Sequence, residues 1–556
     1  MNGLTKRIPV SAVGNKVLFI IPPYFDAEDY KSGTGNFLPA FTVPYGILSL
    51  VTFLESKLEG KVYFDILDLN VILKKSIEDN LDYKTHSASI IDLALKENSY
   101  NIVGISALFN SAFSYLDSIS NQIKNINKSI YVMTGGGLPS AAHAHILQHC
   151  PSIDAVCKGE GELPLLRVLS AEDVGGACDL DESFVTQKTF ESSKIPKNSY
   201  IYDLDEIPPL NYDLFDLDNY NSRSIDKRFS TDEKKREMAI HTSRGCPFKC
   251  VFCSNPSLHG YEVRFMSLAK VEAEVLRMKE EFGMTVLLVE DDHFFHNIKR
   301  AKDVLRIFAK HNIRAEFPNG MAVYAIDDEV ATLLREAGVS AAALAVESGS
   351  DYVLSKLMKK PLKTKYIAPA VDALRRNDVR AHMFIVAGIP GETDAHREET
   401  RQMLLNNNLD WVHIYCAIPI FGSRLFDICM ESNYIDLKDD PANFVVTKSI
   451  IKTPDIDPDE LQSWVYTTQI EVNFVRNANM RLGDYDRAIP YFQNVVDKYP
   501  SHAFGLWALS TALAATQDNK GFAYYFEEAR KAFQDKQWRD LALKIAPNLI
   551  DEFESV

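Results

Sequence analysis

Cys246, Cys250 and Cys253, in the run His241-Thr-Ser-Arg-Gly-Cys-Pro-Phe-Lys-Cys-Val-Phe-Cys-Ser254, set three thiols at the spacing C-x3-C-x2-C. Cysteine thiolates hold iron–sulfur clusters, and a cubane [4Fe–4S] cluster is normally saturated by four of them. Three ligands leave one iron open to a molecule that is not protein, which turns an electron carrier into a reaction site. Zinc is the competing reading, because a structural zinc site takes four ligands and His241 and His259 flank the cysteines, so a Cys3His set is also available.

The flanks favour the cluster. Arg244 and Gly245 lead into Cys246, Pro247 follows it, and the aromatic Phe252 stands just before Cys253. In these residues the segment resembles the cluster loop of radical S-adenosylmethionine (SAM) enzymes. That resemblance implies that Cys246, Cys250 and Cys253 hold a [4Fe–4S] cluster, that the amine and carboxylate of SAM chelate the fourth iron, and that Phe252 contacts the adenine. It also implies reductive cleavage of SAM to a 5′-deoxyadenosyl radical, with an electron donor such as flavodoxin or ferredoxin as partner.

Chemistry of this kind needs a scaffold, and the chain is long enough for several domains. Its 556 residues exceed one domain, and 46% hydrophobic with 24% charged residues is ordinary globular composition. The net charge of −16 argues against nucleic acid or an anionic membrane as partner. No apolar run approaches the roughly 18 residues of a membrane span, and Val17–Ile21 is too short for a signal peptide. Eight cysteines in this length make no disulfide framework, and a cluster needs a reducing compartment, so a cytoplasmic protein is expected.

The first third reads as an open α/β sheet. Short apolar runs at Lys16–Ile21, Val62–Leu67, Ile102–Ser106 and Ile130–Thr134 are separated by helix-length segments such as Tyr45–Glu55. Strands alternating with helices predict βαβ units in a Rossmann-like parallel sheet, with ligands at the carboxyl ends of the strands. Those ends carry Pro22-Pro23-Tyr24, Ser106-Ala107-Leu108, Gly135-Gly136-Gly137 and Gly159-Glu160-Gly161-Glu162. Each run alone reads more readily as turn chemistry than as a ligand cradle. Taken in order, they resemble the cobalamin-binding domain that precedes one large class of radical SAM enzymes, over about residues 15 to 170. By that resemblance Pro23, Tyr24, Ser106, Leu108, Gly135, Gly136, Gly159 and Glu160 bind cobalamin. The Asp-x-His-x-x-Gly motif of histidine-ligated cobalamin domains does not occur, since His143, His145 and His149 lack its context, so no histidine is expected below the cobalt. The alternative is a related domain without its cofactor.

Residues 1–177 are therefore expected to form the cobalamin domain and 178–235, rich in Asp, Asn, Ser, Tyr and Pro, a linker. From 236 to 435 strand-like runs resume at Val286–Val289, Ala315–Phe317, Ala341–Val346, His382–Ala387 and Trp411–Cys416, with amphipathic helices between, as at Ser267–Phe282 and Asp327–Ala337. Polar residues recur at the strand ends, where a βα barrel assembles its active site. A carboxylate there can equally cap the next helix. The order resembles the radical SAM partial TIM barrel, which implies that Glu290, Asp291 and Asp292 face the methionine end of SAM. It further implies that Glu347 and Ser348 reach the ribose or amino-acid part, and that Gly388, Ile389 and Pro390 line the adenine. Arg264 fits either the shared cavity or an outward salt bridge.

Residues 436–556 read as a small helical domain. Arg481–Ile489, Tyr491-Phe492 and Tyr499-Pro500 resemble a tetratricopeptide unit, and Tyr525-Phe526 stand 34 residues after Tyr491-Phe492, with a degenerate second copy. Two units are too few to stand alone, so packing on the barrel is expected, with a protein partner as the other use of such a surface. The resemblance as a whole implies a cobalamin-dependent radical SAM enzyme that methylates an unactivated carbon, or phosphorus, of a small molecule. A non-methylating radical enzyme that cyclises or rearranges its substrate is the near alternative. An iron–sulfur or zinc adaptor presenting helical repeats is the distant one.

Overall fold

The computed structural model describes residues 14–24, 42–220, 236–436, 444 and 448–554. It is a mixed α/β protein with parallel sheets and many helices, and its described residues fall into two compact units, each assembled from separate stretches of chain. Among the described residues no helix is long and apolar enough to cross a membrane.

The first unit takes residues from Met1–Arg223, Lys234–His296 and Pro419–Val445. Its main sheet contains β1 (Asn15–Ile21), β2 (Val62–Asp68), β3 (Ile102–Ser106), β4 (Tyr131–Gly135), β5 (Ala155–Cys157) and β6 (Phe184–Thr186), in the order 2-1-3-4-5-6. β1 pairs in parallel on both sides, Val17 opposite Phe64 on one neighbour and opposite Ile102 on the other. Val17 to Ile21 are all buried, the continuous apolar pattern of a strand covered on both faces. Helices α1 (Tyr45–Leu58) and α2 (Gly137–His149) belong to this cover, and Leu18, Ile20, Val103, Ile105 and Val132 lie in its core. A second parallel pair joins β7 (Glu237–Ile240) to β8 (Val286–Val289), with Met238 opposite Leu287.

The expected domain boundary at 178 cuts through this sheet. β6 lies beyond it and pairs antiparallel with β5, Ala155 opposite Thr186. A three-residue strand gives too short a pattern to read as one, and its antiparallel return breaks the βα alternation on which the expectation rested. In the segment read as a partly packed linker, Ile201, Leu204, Ile207, Leu210, Tyr212 and Leu214 are buried, and Asn211 N–H donates to Thr52 Oγ1 of α1 at 3.0 Å. Residues 221–235 lie outside the described chain.

The described residues of the second unit fall within Asn297–Ile418 and Val446–Val556. Its sheet is the parallel trio β9 (Ala341–Glu347), β10 (Arg380–Ala387) and β11 (Trp411–Cys416). Side chains alternate along β10 and β11: Ala381, Met383, Ile385, Val412 and Ile414 are buried, while His382, Phe384, His413 and Tyr415 line a half-buried face. Helix α3 (Asp394–Asn406) joins β10 to β11. The tail supplies α4 (Pro458–Ile470), α5 (Tyr485–Lys498), α6 (Ala503–Ala515), α7 (Asn519–Ala532) and α8 (Lys536–Ile545), and α5 to α8 share one apolar core with Tyr491, Phe492 and Phe504 at its centre.

Candidate active site

The three cysteines sit on a loop whose stem is a short antiparallel pairing, Ser243 with Phe265 and Arg244 with Arg264. Gly245 opens the loop at φ 97°, where a Cβ would lie 2.2 Å from the Glu262 carbonyl oxygen, so only glycine fits. Within the loop the Cys246 N–H donates to the Gly260 carbonyl at 3.2 Å and the Cys253 N–H to the Cys250 carbonyl at 3.1 Å. Cys246, Cys250 and Cys253 are half-buried, whereas Cys150, Cys157, Cys178, Cys416 and Cys429 are buried. Burial pushes the Cys253 thiol up to about 12, and the Cys250 and Cys246 sulfurs beside it push the same way.

Three neighbouring thiols, one of them pushed up by burial and by the other two, suit a cationic metal centre able to stabilise them as thiolates. Among the described residues no three His, Cys, Asp or Glu side chains converge tightly enough for a single ion. Three thiols leave one iron of a cubane open, whereas structural zinc asks for a fourth protein ligand, so the donor set fits a cluster better than zinc. Each histidine of the zinc reading faces a carboxylate with one ring nitrogen: His259 Nδ1 lies 2.8 Å from Glu160, and His241 Nε2 lies 3.5 Å from Glu290. Phe252 stays half-buried beside Cys253.

The carboxylates at the end of β8 divide. Asp291 is buried and accepts from Thr242 N–H at 2.6 Å, Thr242 Oγ1 at 2.7 Å and Ser243 Oγ at 2.6 Å. Asp292 accepts from Gly245 N–H at 2.7 Å. Both therefore brace the stem of the cysteine loop. Burial raises the Asp291 carboxyl, offset in part by the Ser243 and Thr242 hydrogen bonds.

At the carboxyl ends of the main sheet, Ser106 pairs with Gly135, and Ala107 N–H donates to the Gly135 carbonyl at 2.9 Å. Gly136, at φ 108°, brings the start of α2 so close that a Cβ would lie 2.5 Å from the Ala107 carbonyl oxygen. Leu108 and Phe109 project from this corner 56% and 51% exposed, and Tyr24 meets Phe109 edge-on at 6.3 Å. Pro23 is buried, and Asn70 fixes the turn by accepting from Tyr24 N–H at 3.0 Å. Gly159 N–H reaches Ser140 Oγ of α2 at 2.9 Å. An exposed apolar loop at the carboxyl edge of a parallel sheet fits a large, partly apolar cofactor such as cobalamin.

Glu160 behaves differently. Its carboxylate is buried and takes Arg264 in a fork at 2.5 and 2.9 Å, Arg244 at 3.1 Å and the His259 ring. Burial pushes its carboxyl up, but Arg244, Arg264 and His259 outweigh burial and hold it well below the usual carboxylate range. Arg264 is thus neither a cavity residue nor an outward salt bridge but an inward one.

In the second unit Glu347 ends β9 at a register shift with φ 71°, a conformation that costs a non-glycine residue about 1 kcal/mol or more and concentrates at functional sites. Lys360 Nζ lies 3.0 Å from its carboxylate. Ser348 turns inward, 3.2 Å from Thr400 Oγ1 of α3, which also accepts from Gly349 N–H at 3.0 Å. Gly388, at φ 92°, donates its N–H to Glu392 at 2.5 Å, and its missing side chain leaves room for Leu461 of α4; Pro390 is half-buried. Lys360, Thr400 and Glu392 were not singled out from sequence. Glu392 had a signal, a carboxylate four residues after a strand-end glycine.

Burial pushes the Glu392 carboxyl up to about 7, against the opposing pull of the Gly388 N–H and Arg397. A carboxyl raised on folding favours the native state while neutral, and that contribution is lost as the pH rises from its ordinary 4.5 through 7. Glu392→Gln is therefore expected to be close to the wild type in stability near pH 5 and more stable than it at pH 8, by at most about 3 kcal/mol, with a correspondingly higher melting temperature. Parallel melting curves for the two proteins across that range would contradict this.

Residues 240–404 match the radical SAM superfamily and residues 69–169 the B12 binding domain. The chain is 23% identical over 481 residues to the cytidylyl-2-hydroxyethylphosphonate methyltransferase of Streptomyces wedmorensis, covering 80% of this chain and 87% of that one. It is 24% identical over 473 residues to the anaerobic magnesium-protoporphyrin IX monomethyl ester cyclase of Rubrivivax gelatinosus, covering 83% and 77%. Its fold is similar to that of the radical SAM methyltransferase TsrM of Kitasatospora setae, solved with cobalamin and a [4Fe–4S] cluster bound, at a TM-score of 0.58 and 16% identity over 94% of this chain and 99% of that one. The half-buried cysteine triplet lies in the first of these matched regions and the exposed Leu108–Phe109 corner in the second, and the chain is a radical SAM enzyme with a cobalamin-binding domain, whose cofactors are a [4Fe–4S] cluster, SAM and cobalamin.

Proposed function

We propose that the chain is a methyltransferase acting on an unactivated carbon, or on phosphorus, of a small molecule. The observation that carries this is the pairing, on one chain, of a three-cysteine radical SAM loop with a B12-binding domain. An unactivated C–H bond has no useful acidity, so a general base cannot open it and a radical must. When bound, the cluster and SAM supply a 5′-deoxyadenosyl radical, and cobalamin a transferable methyl group.

The protein's part is to hold, orient and shield. Cys246, Cys250 and Cys253 bind the cluster on a loop braced by Asp291 and Asp292. Phe252 and Glu290 beside that loop are proposed SAM contacts, and Asp291 acts through the loop stem. Glu347, Ser348, Gly388 and Pro390 are proposed SAM contacts by their strand-end positions, and Lys360 holds the Glu347 carboxylate in place. Pro23, Tyr24, Ser106, Leu108, Gly135, Gly136 and Gly159 are proposed to cradle cobalamin. The Phe384, His413 and Tyr415 face offers stacking surfaces and an imidazole for a substrate. The strands bearing it are read as part of a partial βα barrel, and the tail helices as tetratricopeptide-like.

Anaerobic protein, reduced by dithionite or by flavodoxin or ferredoxin as electron donor, is expected to release 5′-deoxyadenosine and S-adenosylhomocysteine from SAM when its substrate is present. Deoxyadenosine without S-adenosylhomocysteine would replace methyl transfer by ring formation or rearrangement. Neither product with any substrate tried, from a chain loaded with cluster and cobalamin, would leave an adaptor.

A further inference from the structure

Glu160 joins two places that the sequence keeps 84 residues apart, the turn after β5 and the stem of the cysteine loop. Both arginines it holds belong to that stem: Arg244 stands two residues before Cys246, and Arg264 is its antiparallel partner. Glu162 supports the same grip, accepting from Arg244 at 2.9 Å, and Arg244 also donates to Ser49 Oγ of α1 at 3.0 Å. Arg264 is further fixed by the Ile201 carbonyl at 2.8 Å and by the Tyr200 ring, 4.5 Å away. All four charged side chains are at most 5% exposed, so the geometry is set by full pairing in a dry interior and not by a loose surface contact.

On its other side Glu160 continues into the glycine corner. Ser140 Oγ donates to the Gly136 carbonyl at 2.6 Å and accepts from Gly159 N–H at 2.9 Å, and Gly159 is the residue before Glu160. An unbroken line of hydrogen bonds and peptide bonds therefore runs from the Leu108–Gly136 corner through Ser140, Gly159, Glu160 and Arg244 to Cys246. We propose that Glu160 is a positioning residue that couples the two cofactor sites: it fixes the stem of the cysteine loop from the turn that ends the cobalamin-binding sheet, so that filling either site favours filling the other. This rests on the assignment of the cluster to the cysteine loop and of cobalamin to the glycine corner. Binding linkage is reciprocal, so the effect is measurable from either ligand. A path through contacts becomes a coupling only when a change along it alters the second site.

The test titrates hydroxocobalamin into the full chain with its iron removed and again after anaerobic cluster reconstitution. In the wild type the cluster is expected to tighten hydroxocobalamin about five-fold or more, the lower end of ordinary coupling. In Glu160→Gln and in Ser140→Ala the two affinities should converge to within about two-fold, while both variants still melt cooperatively. Ser140→Ala removes one hydroxyl in the middle of the path and leaves every ion pair intact. It carries the test if Glu160→Gln fails to fold, together with Glu160→Asp, which keeps the charge and shortens its reach. Equal affinities in the wild type, or full coupling retained in Ser140→Ala and in the folded Glu160 variants, would overturn the proposal and make Glu160 a structural clamp alone. A wild-type chain that takes up neither iron nor cobalamin would instead overturn the assignment of cofactors.

Discussion

Replacing Cys246, Cys250 and Cys253 together by alanine is expected to reduce the iron of anaerobically reconstituted protein from about four per chain to almost none, with SAM cleavage lost alongside. Each single replacement should also lose most of the cluster, because a cubane already short of one protein ligand has no spare. The chain should remain folded, since these three side chains are half-buried on a loop and not part of a core. Alanine at Cys150, Cys157, Cys178, Cys416 or Cys429 should leave the iron unchanged. Those five thiols are at most 5% exposed, and burial holds them neutral: Cys150, Cys178 and Cys429 are pushed up to about 12. Cys253 is pushed up as far, so what separates the two sets is not thiol acidity but the mutual approach of three sulfurs at a partly open loop. Iron, sulfide and zinc analysis of the same samples decides the matter. Full iron in the triple variant would end the cluster assignment, and stoichiometric zinc lost from it would revive the metal-adaptor reading.

The sequence carried the periodic parts of the fold and lost the pairings between distant segments. β1, β2 and β3 lie within a residue or two of the runs that predicted them, because a buried parallel strand is an apolar run with sharp ends. The cysteine triplet was legible because its chemistry lies within eight consecutive residues. Strand-end carboxylates were legible in position but not in task. Asp291 braces Thr242 and Ser243, and Glu160 reaches Arg264, 104 residues further on. Whether a carboxylate at a strand end meets a ligand or a neighbouring turn depends on which donors the tertiary structure brings up, and no local pattern encodes that. Glu347 shows the opposite case: its polar turn was visible in sequence, while the positive φ that sets it apart from an ordinary helix-start carboxylate appears only in the backbone.

The largest stability change is expected from the tail. β11 is the last strand of its sheet, and its outer edge would expose unpaired backbone groups. The tail covers that edge with side-chain amides. Asn473 accepts from Val412 N–H at 2.9 Å and donates to the Val412 carbonyl at 2.8 Å, and Gln469 accepts from Ile414 N–H at 3.2 Å. Below the strand, Arg487 of α5 grips the buried Asp410, which also accepts from Ala381 N–H at 2.8 Å and from Asn479 at 3.1 Å. Burial pushes the Asp410 carboxyl up, but Arg487 and these donors outweigh it and keep it ionised. Tyr491 completes the contact, stacked on Trp411 at 5.3 Å and bonded through its hydroxyl to His382 at 2.7 Å. Arg487→Met leaves the buried Asp410 only the distant Arg375, 3.9 Å away, in place of its hydrogen-bonded cation, a loss of about 3 kcal/mol and a fall in melting temperature of roughly 10 °C. Truncation before Gln469 removes the edge cover as well, and should give insoluble protein or one without turnover. The acidic residues Asp484, Asp486, Asp497, Glu527, Glu528 and Asp535 offset the tail's basic ones, leaving no basic stripe for nucleic acid. A truncated chain that stays soluble, melts with the full one and turns over its substrate would show the tail to be an independent docking module for a protein partner.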